Sequence, residues 1–274
     1  MRIDAHQHFW HYEPQKQSWI DDDMSVIRMD FLPADLLPGL KRNGIEGTVA
    51  VQADETDIET NFLTGLSKDF SFIKAVVGWT DLRAEDINER LEYYTSFPVI
   101  KGFRHVLQAQ EPSFMLQPSF KRGMSALQSL NYSYDLLLTP KHIAAAIELV
   151  KQFPEQRFVV DHLAKPYIKS GVIEEWKNDI KMLAAFENVF CKISGMVTEA
   201  DYKTWKQTDF IPYLDVIVEA FGTKRIMFGS DWPVCLVAAS YAKMTGITEE
   251  YFSSFSTIEK EDFFGNNAAA FYRI

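Results

Sequence analysis

Short apolar runs alternate with longer amphipathic stretches along the whole chain. Eight runs have the length of strands: residues 3–6, 47–52, 72–79, 99–106, 134–138, 157–162, 189–194 and 225–231. Stretches with helical spacing of apolar residues follow them: 33–43, 58–69, 84–95, 119–130, 140–153, 174–186, 210–221 and 258–272. This alternation predicts βα units and a parallel sheet.

The edges of the first helical stretch carry ordinary start and stop signals. Pro33 opens the stretch and Gly44 follows its end, which suits proline at the first helical turn and glycine just past the last one. The stretch 9–30 lacks such periodicity and is rich in aromatic and acidic residues. It is predicted to be a long irregular loop over the mouth of the sheet, where long loops are often functional.

Eight strands with interleaved helices predict an α/β fold in which the sheet closes into a (β/α)8 TIM barrel. The 274 residues fit one such barrel, typically about 250 residues, so a single domain over 1–274 is expected. An open doubly wound sheet is the alternative. The chain lacks a G-x-G-x-x-G after the first strand and a Walker-type phosphate loop. The usual sequence motifs of nucleotide-binding open sheets are therefore missing.

Composition narrows the class of partner. The net charge of −10 disfavours binding to nucleic acid, whose phosphates are repelled. The two cysteines, Cys191 and Cys235, lie far apart and are expected to be reduced thiols. The first residues form no apolar leader, and no apolar run approaches the about 18 residues of a membrane helix. We therefore expect a cytoplasmic protein, monomeric or homodimeric, that acts on a small molecule and not on a membrane.

Most of the chain's chemically active side chains fall at the carboxyl ends of the predicted strands, which is where active sites of such barrels lie. In strand order they are His6 and His8, Gln52, Trp79, Arg104 and His105, His162, Lys192 or Ser194, and Asp231.

His6 and His8 are spaced so that both side chains point to the same face of a strand. They can therefore converge on one metal ion or one substrate oxygen. His162 ends the sixth run, and its alternative role is that of a core histidine bonded to backbone. Asp161 is its neighbour in sequence, so strand alternation would direct Asp161 to the opposite face and excludes it as a natural ligand.

Asp231 follows an apolar strand, where a carboxylate is costly to bury unless it is paired or functional. Its alternative role is to cap the next helix. Arg104 suits a substrate carboxylate or several hydroxyl oxygens, with a structural ion pair as the alternative. His105, Gln52, Trp79 and Tyr134 are candidates for lining a sugar-sized pocket, with packing in the core or a loop as the competing interpretation for the last three.

At these residues the chain resembles the amidohydrolase-2 family, especially its sugar-lactone hydrolases of the fuconolactonase and rhamnonolactonase type. The matching segments run from the first strand to the last: 4–10 (DAHQHFW), 101–105 (KGFRH), 134–136 (YDL), 161–166 (DHLAKP) and 227–233 (MFGSDWP). The resemblance implies a hydrolase that opens a lactone ring. It also implies that this reaction belongs to carbohydrate metabolism.

The resemblance also implies roles for individual residues. His6, His8, His162 and Asp231 match the family's metal-ligand and acid/base positions, for one divalent ion with Zn²⁺ favoured. Asp231 would take a proton from the attacking water while the histidine cluster polarises the carbonyl. Arg104, His105, Gln52 and Trp79 would bind substrate.

Two departures from the superfamily pattern weaken the metal assignment. Lys101 falls at the start of the fourth strand rather than its end, which argues against a binuclear centre, and the fifth strand offers Tyr134 and Asp135 in place of a histidine. A metal-free mechanism therefore stays open. The same strand-end residues are also compatible with a metal-dependent decarboxylase of the aminocarboxymuconate type and with a non-catalytic binding barrel.

Overall fold

Eight parallel strands lie side by side in sequence order in the computed structural model, which describes residues 1–274. Strands β1 to β8 are Ile3–Gln7, Gly47–Val51, Ile73–Gly78, Ile100–His105, Ser133–Leu136, Phe158–Val160, Val189–Ile193 and Ile226–Phe228. Helices α1 to α10 are Pro33–Arg42, Asp57–Asp69, Ile87–Tyr94, Pro118–Ser129, Ile143–Gln152, Glu174–Ala184, Gln207–Phe221, Tyr241–Tyr251, Thr257–Glu261 and Asn267–Tyr272. The predicted (β/α)8 barrel is confirmed.

The barrel is nearly closed where β8 meets β1. Beyond the ends of the two strands, Gln7 and Trp232 form a parallel bridge. The backbone N–H of His8 donates to Trp232 O at 2.7 Å, and that of Asp231 donates to His6 O at 2.8 Å. The closing hydrogen bonds therefore join the two segments that carry the predicted site residues.

Apolar side chains and the C-terminal helix together fill the lower end of the barrel. The buried cluster there consists of Ile3, Ala5, Val49, Val51, Ala75, Val77, Val159, Met227, Ala268, Phe271 and Tyr272. The last three belong to α10. The chain terminus thus packs against the barrel floor, opposite the mouth where active sites of this fold lie.

The C-terminal quarter differs from its prediction in two places. Helix α8 was missed, although Ser240 caps it by accepting from Lys243 N at 3.3 Å. The predicted helix over 258–272 is helical throughout but widens into a π-helical turn at Asp262–Asn266. Gly265 in that turn lies so close to the first residue that a Cβ there would overlap the backbone oxygen of Met1, a contact that local periodicity does not reveal.

The loop after β1 crosses the barrel mouth as predicted and returns to its starting point. Trp10 and Phe31 form an antiparallel bridge, with N–H···O distances of 2.9 and 3.0 Å. Trp19 packs edge-on against Trp10, with ring centroids 6.1 Å apart. The loop is therefore anchored at its base and by aromatic contacts.

No helix reaches the length and apolarity that a bilayer crossing needs. The longest, α7, has 15 residues, against the about 20 that a spanning helix requires.

Tyr272 links the C-terminal helix to a carboxyl group inside the barrel. Its hydroxyl lies 2.9 and 3.1 Å from the two carboxylate oxygens of Asp135, and both side chains are fully buried. We expect Tyr272→Phe to lower the free energy of unfolding by about 1–3 kcal/mol, because a buried charged group loses a donor. Chemical denaturation would measure it.

Tyr251→Phe is the matched control for this prediction. Tyr251 also donates to a carboxylate, Asp215, at 2.7 Å, but at an exposed site. Its loss is expected to change stability by no more than about 0.5 kcal/mol. Equal losses of unfolding free energy in the two variants would show that the buried hydrogen bond stabilises the fold no more than the exposed one.

Candidate active site

Four of the predicted residues meet at the carboxyl end of the barrel. The Nε2 atoms of His6 and His8 are 3.2 Å apart, and His8 Nε2 is 3.4 Å from Asp231 Oδ1. The Nε2 atoms of His6 and His162 each lie 3.9 Å from the same oxygen. All four side chains are buried. Their nitrogen and oxygen atoms thus converge on a single point.

A local irregularity in β1 places His6 in this group. The register of β1 against β2 shifts between Asp4 and Gln7. Ala5 joins the apolar floor while His6, its neighbour, contacts Lys192 in the barrel interior. Asp4 instead accepts from Tyr241 OH of α8 at 3.0 Å. Such a bulge re-aims a side chain, here toward the site.

His8 is held by the backbone of β2. Its Nδ1 lies 2.8 Å from Val51 O, and because a carbonyl can only accept, the proton is on Nδ1. With Nδ1 held in this way, His8 turns Nε2 toward His6 and toward the Asp231 carboxylate. A cation or proton shared by these nitrogen and oxygen atoms would stabilise an approach this close.

His162 lies in a left-handed turn, and here one expectation was wrong. β6 ends at Val160, and His162, Leu163, Ala164 and Lys165 have φ values of 53°, 56°, 58° and 51°. Asp161 lies on the inner face with Val159, and the turn brings His162 to the same side instead of the opposite one: Asp161 Oδ1 is 3.2 Å from His6 Nδ1. Four such residues in a row cost about 1–2 kcal/mol each, the kind of strain found at functional sites.

Residues after β7 orient the His162 ring. Ser194 Oγ lies 2.8 Å from His162 Nδ1, which leaves Nε2 free for Asp231. Gly195 has φ 61°, and a Cβ at this position would be 2.6 Å from His162 Nδ1. The site therefore needs a residue without a side chain here.

Asp231 does not cap a helix, which was its alternative role. The short helical turn that follows, Val234–Val237, receives no side-chain cap, and Ser240 caps α8. Burial would raise the pKa of Asp231, but His162 beside it, with His8 and His6, holds that pKa below its ordinary value. The carboxylate is therefore charged near neutral pH.

His6 and His162 are in the neutral form near pH 7. Burial lowers the pKa of His162 to about 4, although Asp231 and Asp161 act in the opposite direction. Burial likewise lowers the pKa of His6. Neutral imidazoles beside a charged carboxylate are suited to bind a metal ion or to hydrogen-bond a substrate oxygen.

A buried ionic network lies beneath the histidines, and most of it was missed from sequence. Lys192 Nζ contacts Asp135 Oδ2 at 2.5 Å, Asp161 Oδ1 at 3.1 Å and His6 Nδ1 at 3.2 Å. Asp135, Asp161 and Lys192 are each a charged residue within or just after an apolar strand. That pattern is costly without a partner and was the available signal.

Arg104 joins this network and also lines the cavity. Its Nη1 donates to Asp161 Oδ2 at 3.0 Å and lies 3.3 Å from His6 Nε2. Gln52 fixes the guanidinium: its backbone oxygen is 2.5 Å and its side-chain oxygen 3.2 Å from Nη2. The structure thus places Gln52 behind Arg104, in contact with its guanidinium.

Three more candidates lie outside the cavity. In β4, Arg104 faces inward and His105 therefore faces the helices, packed on Phe120 and on Trp79 at centroid distances of 5.6 and 5.5 Å. Burial lowers the pKa of His105 to about 3, and its ring nitrogens have no hydrogen-bond partner. Tyr134 is also fully buried, against Phe120. His105, Trp79 and Tyr134 are therefore absent from the lining of the cavity.

The cavity above the histidines has a volume of about 510 Å³. Besides His8, Arg104, His162 and Asp231, its lining combines aromatic, polar and charged residues from the loops: Trp10, Lys16, Ser18, Trp19, Met24, Asp54, Glu55, Gln108, Lys165, Thr198, Glu199 and Tyr202 among them. A cavity of about 600 Å³ near the start of α7 contains none of the strand-end histidines. The cavity above the histidines therefore fits a small ligand beside the reactive groups.

The donor atoms fit one divalent cation. His6, His8 and Asp231 form one group whose ligand atoms lie within 4.8 Å of one another, and His6, Asp161 and His162 form a second. Imidazole nitrogen with carboxylate oxygen is a ligand set that Zn²⁺ prefers, and the bond from His8 Nδ1 to a carbonyl is the usual outer support of such a ligand.

Comparison with known proteins gives a family match that spans nearly the whole chain. A family model described as Amidohydrolase matches residues 3–274. The chain is 36% identical to a Burkholderia multivorans protein named L-fucono-1,5-lactonase, over 100% of this chain and 96% of that protein. It is 25% identical to an L-rhamnono-gamma-lactonase of Scheffersomyces stipitis, over 60% of this chain and 53% of that one.

A solved structure is similarly close. The crystal structure of an amidohydrolase from Burkholderia multivorans with bound zinc superposes with a TM-score of 0.97 at 36% sequence identity. The match covers 100% of this chain and 99% of the other.

Gly195→Ala tests how the His162 ring is held. The added methyl group would overlap the ring, so we expect the affinity for Zn²⁺, measured by competition with a chromophoric chelator, to fall at least about tenfold. Gly171→Ala is the control, because Gly171 has φ 69° and open space around its Cβ position. Equal affinities in the two variants would contradict the assignment.

Proposed function

The chain belongs to the amidohydrolase family, and on that premise we propose that it is a lactonase that opens the ring of a sugar-acid lactone. One observation carries the proposal: a charged Asp231 carboxylate lies among the ring nitrogens of His6, His8 and His162 at the floor of a cavity large enough for a monosaccharide. Relatives named for fuconolactone and rhamnonolactone hydrolysis support a sugar-type substrate, and L-fucono-1,5-lactone is the first compound to assay.

Asp231 is the proposed general base. Its low pKa leaves the carboxylate free of a proton near neutral pH, and it lines the cavity. Water attacks the lactone carbonyl carbon and gives one proton to Asp231. The bond between that carbon and the ring oxygen then breaks, Asp231 returns the proton to the departing oxygen, and a hydroxy acid results. Asp231 ends in its starting state.

Charge on the carbonyl oxygen must be stabilised in the transition state, and this is the largest contribution expected. Arg104 offers a cationic guanidinium 3.3 Å from His6 Nε2, at the centre of the site. Gln52 and Asp161 hold that guanidinium in place. A divalent ion held by His6, His8, His162 and Asp231 would supply a Lewis acid to the same oxygen when bound.

Asp231→Asn tests the base. The amide keeps the size of the side chain but cannot accept a proton, so we expect kcat to fall by about 10²–10⁴-fold with substrate binding retained. A pH-indicator assay would give the rate, and calorimetry the binding. Asp201→Asn, outside this cavity, is the control and is expected to keep wild-type kcat. Full activity of Asp231→Asn would rule out the proposed base.

Metal content decides between the two ways of polarising the carbonyl. Mass spectrometry of the purified protein, combined with the lactone assay before and after chelation, would measure it. If a divalent ion supplies the Lewis acid, we expect near-stoichiometric zinc and a loss of turnover on chelation that added zinc restores. Undiminished turnover of a metal-free sample would leave Arg104 and the histidines as the polarising groups.

A further inference from the structure

Each lysine and arginine side chain in the cavity wall has an anionic partner. Lys16 Nζ is 2.5 Å from Glu13 Oε1, Arg104 Nη1 is 3.0 Å from Asp161 Oδ2, and Lys165 Nζ is 3.3 Å from Glu199 Oε1. None is therefore free to neutralise a carboxylate on a substrate. A lactone that carries such a group would enter this cavity without a counter-charge.

The remaining charged groups of the wall are acidic. Glu55 accepts from Val106 N at 2.9 Å through Oε1 and has its second oxygen available. Asp54 lies beside it in the lining. Carboxylate oxygens accept hydrogen bonds from hydroxyl groups and repel other anions. The wall thus suits an uncharged compound with several hydroxyl groups.

The pair Lys165–Glu199 is joined to the catalytic groups through the backbone at His162. Lys165 ends the left-handed turn that begins at His162, and its N–H donates to His162 O at 2.7 Å. Glu199 follows β7, and its backbone oxygen accepts from Lys169 N at 2.9 Å. Both side chains are 23% exposed and line the cavity. The pair therefore has a defined position relative to His162.

An ion pair of this kind can donate and accept at one place. The ammonium of Lys165 has three protons, of which Glu199 Oε1 takes one, and Glu199 has a second oxygen. Neighbouring hydroxyl groups of a sugar also donate and accept, so they match both members. A carboxylate can only accept, and it would be repelled by Glu199.

We propose that Lys165 and Glu199 determine substrate specificity by binding hydroxyl groups of an uncharged polyhydroxy lactone, while Glu199 neutralises Lys165 and so excludes lactones that carry a carboxylate. This inference rests on the proposed lactonase function. It concerns recognition of the substrate and assigns neither residue a part in the bond-breaking step.

Glu199→Gln is the direct test, because glutamine keeps the shape and an acceptor but releases the charge of Lys165. The assay compares kcat/KM for a neutral aldonolactone with kcat/KM for D-glucaro-1,4-lactone, which carries a carboxylate. We expect the first value to fall about tenfold, mainly through KM, and the second to rise about tenfold. The specificity ratio would then shift by about 100-fold.

Two further variants separate specificity from a structural role. Glu199→Gln combined with Lys165→Met has no free cation, so it is expected to lose neutral substrate without gaining the acidic one. Asp201→Asn is the matched control, since Lys169–Asp201 is a similar pair at 3.6 Å that lines the other cavity. It is expected to keep the wild-type ratio. Thermal unfolding of each variant confirms that the fold is intact.

The outcomes are distinguishable. An unchanged ratio in Glu199→Gln, or an equal loss on both substrates, would overturn the role of the pair while leaving the lactonase proposal in place. If the wild-type protein hydrolyses no lactone, the proposed function fails first, and the specificity proposal fails with it. A gain on the acidic lactone in the double variant would show that Lys165 is not the group that binds it.

Discussion

Two backbone hydrogen bonds at the junction of β8 and β1 are the constraint on which the site depends. They join His8 to Trp232 and Asp231 to His6, residues more than 220 positions apart in the chain. The same bonds that bring the sheet close to a full barrel place two imidazoles against one carboxylate. Stability of the barrel and geometry of the site are therefore coupled here, and an alteration of this junction would disturb both.

Beneath the junction, the cost of burying charge is offset by pairing. Lys192 contacts two carboxyl groups and His6, and Arg104 contacts one carboxylate and Gln52. Removing one member would leave another buried charge without a partner, which is far more costly than loss of an exposed pair. The network also reaches α10 through Tyr272, so the barrel floor and the site floor are connected by hydrogen bonds.

Above the histidines, the loops decide what can bind. The loop after β1 supplies aromatic side chains, the loop after β2 supplies acidic ones, and the loops after β6 and β7 supply the Lys165–Glu199 pair. This division is typical of the fold, in which strand ends hold the reactive groups and loops vary the substrate. The backbone strain at His162–Lys165 lies where the two layers meet.

The order of strands and helices, and the positions of most strand ends, followed from sequence because apolar periodicity is a local property. His6, His8, His162 and Asp231 were identifiable for the same reason: each is a polar residue at or just after the end of an apolar run. Alternation within β4 also contained the information that Arg104 and His105 face opposite ways, and the combined assignment of both to substrate binding overlooked it.

Only the tertiary structure decided the contacts between distant segments and the departures from regular backbone geometry. The bulge in β1 turns His6 inward, and the left-handed turn that begins at His162 brings this ring toward Asp231. Neither follows from a period of two, because both depend on packing against other strands. The pairing of Lys165 with Glu199 and of Arg104 with Asp161 likewise depends on which loops and strands become neighbours once the barrel closes.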